Sequence, residues 1–127
     1  MGADAAAAMP ARGVLLDDRD AVRFRGEGEP VDPRAGHVPG ARNLPPGALT
    51  GPDGLLRPVT GLREHLAALG VVPGTPVAAY CGSGVFASLA VAQLATAGVD
   101  AALWPGSWSQ WSNDPARPAA LGDEPGA

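Results

Sequence analysis

Apolar residues in this chain fall into short runs divided by Gly- and Pro-rich breaks, and the runs follow two patterns. Gly13–Val14–Leu15–Leu16–Asp17 and Val77–Ala78–Ala79–Tyr80 are continuous apolar stretches of strand length, as expected of strands buried on both faces of a parallel sheet. Between them, Leu62, Leu66 and Leu69 recur at helical spacing over Gly61–Leu69, with Thr60 placed to cap the start and Gly70 the end. Val85–Ala97 reads as a small-residue helix stopped by Gly98, and Ala101–Leu103 as a further strand. Asp18 is placed to cap a short helix over Arg19–Phe24, Asn43–Leu44 is a very short strand ended by Pro45–Pro46, and Ser107 caps a turn carrying Trp108 and Trp111. Arg25–Gly36 is a polar loop. Strands alternating with helices predict an α/β fold with a central, mostly parallel sheet flanked by helices.

This pattern fills residues 13–113, one domain. Residues 1–12 and 114–127 are rich in Ala, Pro, Gly and acidic side chains and are expected to fray as disordered tails. The net charge of −4 sets 13 acidic residues against 9 basic ones, all arginine. No basic stripe is present to read phosphates, so nucleic acid is not an expected partner. No run approaches the roughly 18 apolar residues of a membrane span, and Met1–Pro10 lacks a basic leader region, so a cytoplasmic protein without membrane contact is expected. The one cysteine cannot close an internal disulfide, and with His37 and His65 far apart in sequence a metal site is poorly supplied. Neither metal nor cofactor is expected.

The chemistry concentrates after the second long strand, at Tyr80–Cys81–Gly82–Ser83–Gly84–Val85–Phe86. A strand, a small-residue loop and a helix start together aim backbone N–H groups at an anion, and a cysteine there sits in a field that favours thiolate over thiol. Glycine at 82 and 84 lets the backbone curl where a Cβ would oppose it. The bland alternative is an inert cysteine at a strand end.

Four separated pieces give the chain a resemblance. They are Leu16–Asp17–Asp18–Arg19 with Arg23–Phe24, then Gly36–His37–Val38–Pro39–Gly40–Ala41–Arg42–Asn43, then Cys81–Gly82–Ser83–Gly84–Val85, and finally Gly106–Ser107–Trp108–Ser109–Gln110–Trp111. In this order and spacing they resemble the rhodanese family, in particular the C-terminal, catalytic half of two-domain 3-mercaptopyruvate and thiosulfate sulfurtransferases. The resemblance implies a rhodanese-like fold and a persulfide relay, in which Cys81 takes sulfane sulfur from a small anionic donor and passes it to an acceptor. It implies that the amides of Gly82, Ser83, Gly84, Val85 and Phe86 bind the sulfur, and that Arg19 binds the donor. Arg23, one helical turn on, can join it. Gly82–Ser83 is similar to the mercaptopyruvate type, whereas thiosulfate-type members carry basic residues there. A dianion gains more from nearby cations, and a 2-oxo acid needs an arginine fork for its carboxylate.

The acceptor classes implied are a thiol, cyanide or a thioredoxin-like protein. The two-domain relatives add an N-terminal half, so such a half or a second copy of the chain is a candidate to complete the site. The chain departs from the family pattern at Phe86, where threonine is usual, and at Trp104–Pro105, where Tyr–Asp is usual. A phosphatase of the same fold would need arginine six residues after the cysteine, and Ala87 stands there. A second reading is a catalytically weak module acting as a binding or regulatory subunit. His37, set between Gly36 and Val38–Pro39, is expected to brace its loop rather than to move protons.

Overall fold

The computed structural model describes residues 1–82 and 85–125. Four strands form one sheet: β1 (Val14–Asp17), β2 (Arg42–Asn43), β3 (Val77–Tyr80) and β4 (Ala101–Leu103), in the order β2-β1-β3-β4. Every pairing is parallel, with Val14 opposite Val77, Asp17 opposite Tyr80, and Val77 opposite Ala101. The helices are α1 (Ala3–Arg12), α2 (Ala21–Arg25), α3 (Val59–Ala68), α4 (Val85–Thr96) and α5 (Ser107–Ser112). The predicted α/β class and parallel sheet are thus the observed ones.

The continuous apolar runs are explained by burial on both faces. Val14, Leu16, Val77 and Ala79 point to one side, where Leu62 and Leu66 of α3 and Ala87 and Leu94 of α4 cover them. Leu15, Ala78 and Tyr80 point to the other side, against Met9 of α1, Phe24 of α2, and Trp104, Trp108 and Trp111. All three indoles are at most 2% exposed, so every aromatic of the chain except Phe86 is spent in this layer. Fully burying one such side chain contributes about 2–3 kcal/mol.

Both ends of the chain correct the sequence reading. Residues 3–12 form α1, and Ala6 and Met9 are buried under the sheet because the alanine-rich segment offers a helix with one apolar face. Beyond residue 113, Ala120 pairs with His37 in an isolated antiparallel bridge, and the amides of Gly40 and Gly122 donate to Pro125 and Arg25 carbonyls. Arg34 holds the start of this segment: its guanidinium donates to the carbonyls of Trp111, Ser112, Asp114 and Arg117 at 2.7–3.2 Å. The Trp111 and Ser112 carbonyls end α5, where a cation also meets the negative pole of the helix. Composition alone suggested fraying because such partners are distant in sequence.

The caps differ as well. Asp20, not Asp18, caps α2 by accepting from the Arg23 amide at 2.9 Å. Helix α3 starts at Val59 with Pro58 before it, so Thr60 is inside the helix. Among the described residues no helix is long and apolar enough to cross a membrane.

Candidate active site

The chain leaves β1 toward β2 on one side of the sheet and returns to β3 on the other. Such a reversal of strand order opens a crevice at the C-terminal ends of the strands. Asp17–Asp18–Arg19 leave the end of β1 there, and Cys81–Gly82 leave the end of β3. Cys81 is 2% exposed and its backbone is held from three directions. Its amide donates to Ser107 Oγ at 3.1 Å, its carbonyl accepts from the Trp108 amide at 2.9 Å, and the Gly82 carbonyl accepts from the Ser109 amide at 3.0 Å. Ser107 Oγ in turn donates to the Trp104 carbonyl at 3.0 Å. Ser107 therefore serves β3 rather than capping α5, and it does so at φ +56°, a left-handed conformation uncommon for a residue with a Cβ.

Two arginines with different duties approach this crevice. Arg19 is 2% exposed and forms a forked pair with Asp17, Nε to Oδ1 at 2.9 Å and Nη2 to Oδ2 at 2.6 Å. Nη2 also donates to the Gly36 carbonyl at 2.6 Å, Nη1 reaches Glu29 at 3.5 Å, and the guanidinium lies 4.8 Å from the Trp108 ring. Burial disfavours this cation, but the hydrogen bonds and charge of Asp17 outweigh it and hold its pKa above the ordinary value. Arg23 is more open. Its Nε and Nη2 bind Glu29 at 3.2 and 3.1 Å, and Nη2 also binds Asp32 at 3.2 Å. Nη1 makes no hydrogen bond among the described residues and lies by Gly82, where a Cβ would come within 3.3 Å of it. The missing side chain at 82 is what lets this cation reach the cysteine loop. Glu29, the brace behind both arginines, is disfavoured as an anion by burial, yet the Asp32 and Val31 amides and Arg23 hold its pKa below the ordinary value.

Cys81, Gly82, Arg23 and Asp18 border one cleft of about 360 Å³, with Val85, Phe86 and Pro46 as its apolar wall. Phe86 is 56% exposed and also borders a smaller groove of about 150 Å³ along Pro45–Thr50 and Leu89. The carboxyl of Asp18 lies between cleft and groove. Burial, and next to it the Asp17 charge, raise its pKa to about 7 from the ordinary 3.8. A buried cysteine, a half-open arginine and a carboxyl near neutrality thus meet at the mouth of a sheet, an arrangement suited to nucleophilic attack on an anionic substrate.

The Rhodanese-like domain family matches residues 2–114. The chain belongs to the rhodanese family. It is 51% identical over 108 residues to SseB of Mycobacterium tuberculosis, a thiosulfate sulfurtransferase by designation, covering 85% of this chain and 38% of that protein. It is 47% identical over 113 residues to a protein of Pseudomonas aeruginosa designated a 3-mercaptopyruvate sulfurtransferase, covering 86% and 39%. The rhodanese domain thus spans about two fifths of the length of these relatives. Among solved structures, the anaerobic ergothioneine biosynthesis enzyme of Chlorobium limicola superposes with a TM-score of 0.85 at 26% identity, over 96% of this chain and 32% of that one. A cysteine-persulfide form with ergothioneine superposes with a TM-score of 0.84 at 25% identity, over 96% and 32% of the two chains.

Of the residues singled out from the sequence, Cys81, Gly82, Val85, Phe86 and Arg19 border the same cleft of the rhodanese domain. Ser83 and Gly84 lie outside the described residues. Arg19 is at the edge of the cleft with its donors turned to Asp17, Gly36 and Glu29, whereas Arg23 faces the loop. His37 is fully buried, stacks on Phe24 at 3.7 Å, and places its ring nitrogens 2.7 and 2.9 Å from the Phe24 and Pro125 carbonyls. That is a bracing position. Sequence reasoning gave Asp18 only a capping role and Ser107 the wrong one. The signal for Asp18 was available in the strand ends: β1 and β3 both stop at the crevice, so the next residue of each had to meet there.

Proposed function

We propose that this rhodanese domain is a sulfurtransferase that moves sulfane sulfur from a small anionic donor to a thiophilic acceptor through a Cys81 persulfide. One observation carries the reading: Cys81 directly follows the central strand β3 and borders a cleft lined also by Arg23 and the start of α4. The thiolate attacks the outer sulfur of the donor. A sulfur–sulfur bond forms, and the donor's own bond to that sulfur breaks with its electron pair. That pair leaves on sulfite if the donor is thiosulfate, or on pyruvate enolate, which then takes up a proton, if the donor is 3-mercaptopyruvate. The acceptor reverses the roles by attacking the outer persulfide sulfur and releasing the Cys81 thiolate.

The amides of Gly82, Val85 and Phe86 and the positive end of the twelve-residue helix α4 are assigned to the anionic persulfide. Arg23, rather than Arg19, is assigned to the donor's negative charge, because Arg19 already spends its donors inside the fold. 3-Mercaptopyruvate is the favoured donor on the neutral Gly82–Ser83 pair. Relatives bearing both designations support the shared chemistry.

Intact-mass measurement after incubation with either donor tests this directly. The expected result is one added sulfur on the wild type and none on Cys81→Ser, with thiocyanate formed from cyanide only by the wild type. No Cys81-dependent sulfur uptake from either donor would overturn the enzyme reading and leave the binding module.

A further inference from the structure

Asp18 has no part in the relay, yet it borders the same cleft as Cys81. The parallel register sets Asp17 opposite Tyr80, and the Asp18 amide donates to the Tyr80 carbonyl at 2.8 Å. Asp18 and Cys81 therefore follow the last paired residues of two adjacent strands, whose backbones run about 5 Å apart, and both border the one cleft. The residue is 5% exposed, and its side chain makes no hydrogen bond or ion pair among the described residues.

The charged groups around it are few. Asp17 precedes it and is engaged by Arg19; Asp20 is committed to capping α2; Arg23 faces Gly82 while bound to Glu29 and Asp32; and Cys81 stands opposite. The other two walls, Leu44–Thr50 and the Val85, Phe86, Leu89 and Gln93 face of α4, carry no ionisable side chain. An ionised Asp18 would thus put an unpaired negative charge where an anionic donor must enter. A neutral Asp18 would not.

We propose that Asp18 is a specificity-determining residue that sorts sulfur donors by charge. As the neutral acid it admits a donor carrying two negative charges to Cys81, and as the carboxylate it turns the site toward donors carrying one. This rests on the sulfurtransferase reading above. Each extra negative charge on the donor adds one repulsion with the carboxylate across a few ångströms of partly dry cleft, enough for a selectivity change of about tenfold. Because burial and Asp17 place the titration of this carboxyl near neutrality, the change falls within reach of ordinary assays.

The test measures kcat/KM for thiosulfate and for 3-mercaptopyruvate, with cyanide as acceptor, on the whole chain and on Asp18→Asn, from about pH 6 to about pH 8. The ratio of the two constants cancels the ionisation of Cys81, which is common to both donors. Any ionisation of a donor itself appears equally in the variant and drops out of the comparison. The thiosulfate-to-mercaptopyruvate ratio is expected to fall about tenfold further across this range in the wild type than in Asp18→Asn, the two starting from the same value at low pH. Asp18→Ala, which also lacks the charge, replaces Asn if that variant does not fold, and carries the same expectation. Turnover with a ratio that is level in the wild type, or that falls equally in the variants, would overturn the role of Asp18 while leaving the relay intact. Absence of Cys81-dependent turnover with both donors would overturn the relay and this inference together.

Discussion

Replacing Arg19 by methionine separates a structural arginine from a donor-binding one. The guanidinium is 1% exposed in its side chain and faces an Asp17 side chain that is 0% exposed, at 2.6 Å. Methionine keeps much of the volume but leaves the Asp17 carboxylate buried without its cation, and removes the donor to the Gly36 carbonyl and the contact with the Trp108 ring. Removing one partner of a buried pair costs about 3–5 kcal/mol, much of it the stranded charge. Against a total stability of about 5–15 kcal/mol this is severe. Urea unfolding followed by circular dichroism should show the midpoint falling with little change in slope. Asp17→Asn combined with Arg19→Met should lose less than the two single changes added together, since the pair then leaves as a unit. A loss under about 1 kcal/mol, with a large rise in donor KM, would refute this account and return Arg19 to the donor.

Two further outcomes follow from the same geometry. Ser107→Ala deprives the buried Cys81 amide of its acceptor and should cost about 1–3 kcal/mol in urea unfolding and also slow persulfide formation in single turnover; an unchanged rate would show that the hydroxyl does not hold the nucleophile in place. Asp18 binds its proton more tightly when folded, with a pKa raised to about 7 from 3.8, so the folded chain loses relative stability as pH rises through that interval. Asp18→Asn should therefore gain on the wild type between about pH 4 and about pH 8, by up to about 4 kcal/mol, and thermal midpoints that stay parallel with pH would contradict it.

The parts of the fold legible in the sequence were those written in local pattern. The apolar runs of β1 and β3, the leucines of α3 and the glycine after the cysteine each declare themselves within a dozen residues. The termini did not, because α1 gains its order by burying Ala6 and Met9 beneath the sheet, and the segment after Asp114 gains its own from Arg34 and His37, which no periodicity links to it. The same limit applies to the arginines. From the sequence Arg19 was the expected donor-binding arginine and Arg23 its companion, and only the forked pair with Asp17 and the open face of Gly82 assign them different work. Ser107 looked like a helix cap because a serine before a tryptophan-bearing helical turn usually is one; its left-handed backbone and its bond to Cys81 are tertiary facts.

The clasp of Ser107, Trp108 and Ser109 on Cys81 and Gly82 also bears on how the protein comes into being. Ser107 follows Cys81 by 26 residues. A chain emerging from the ribosome N-terminus first exposes its thiol well before the residues that restrain it exist outside the tunnel. During that interval the cysteine is an ordinary one, open to stray oxidants and lacking its cradle. The restraint on Cys81 is therefore completed only when α5 docks, after β3 and α4 have been made.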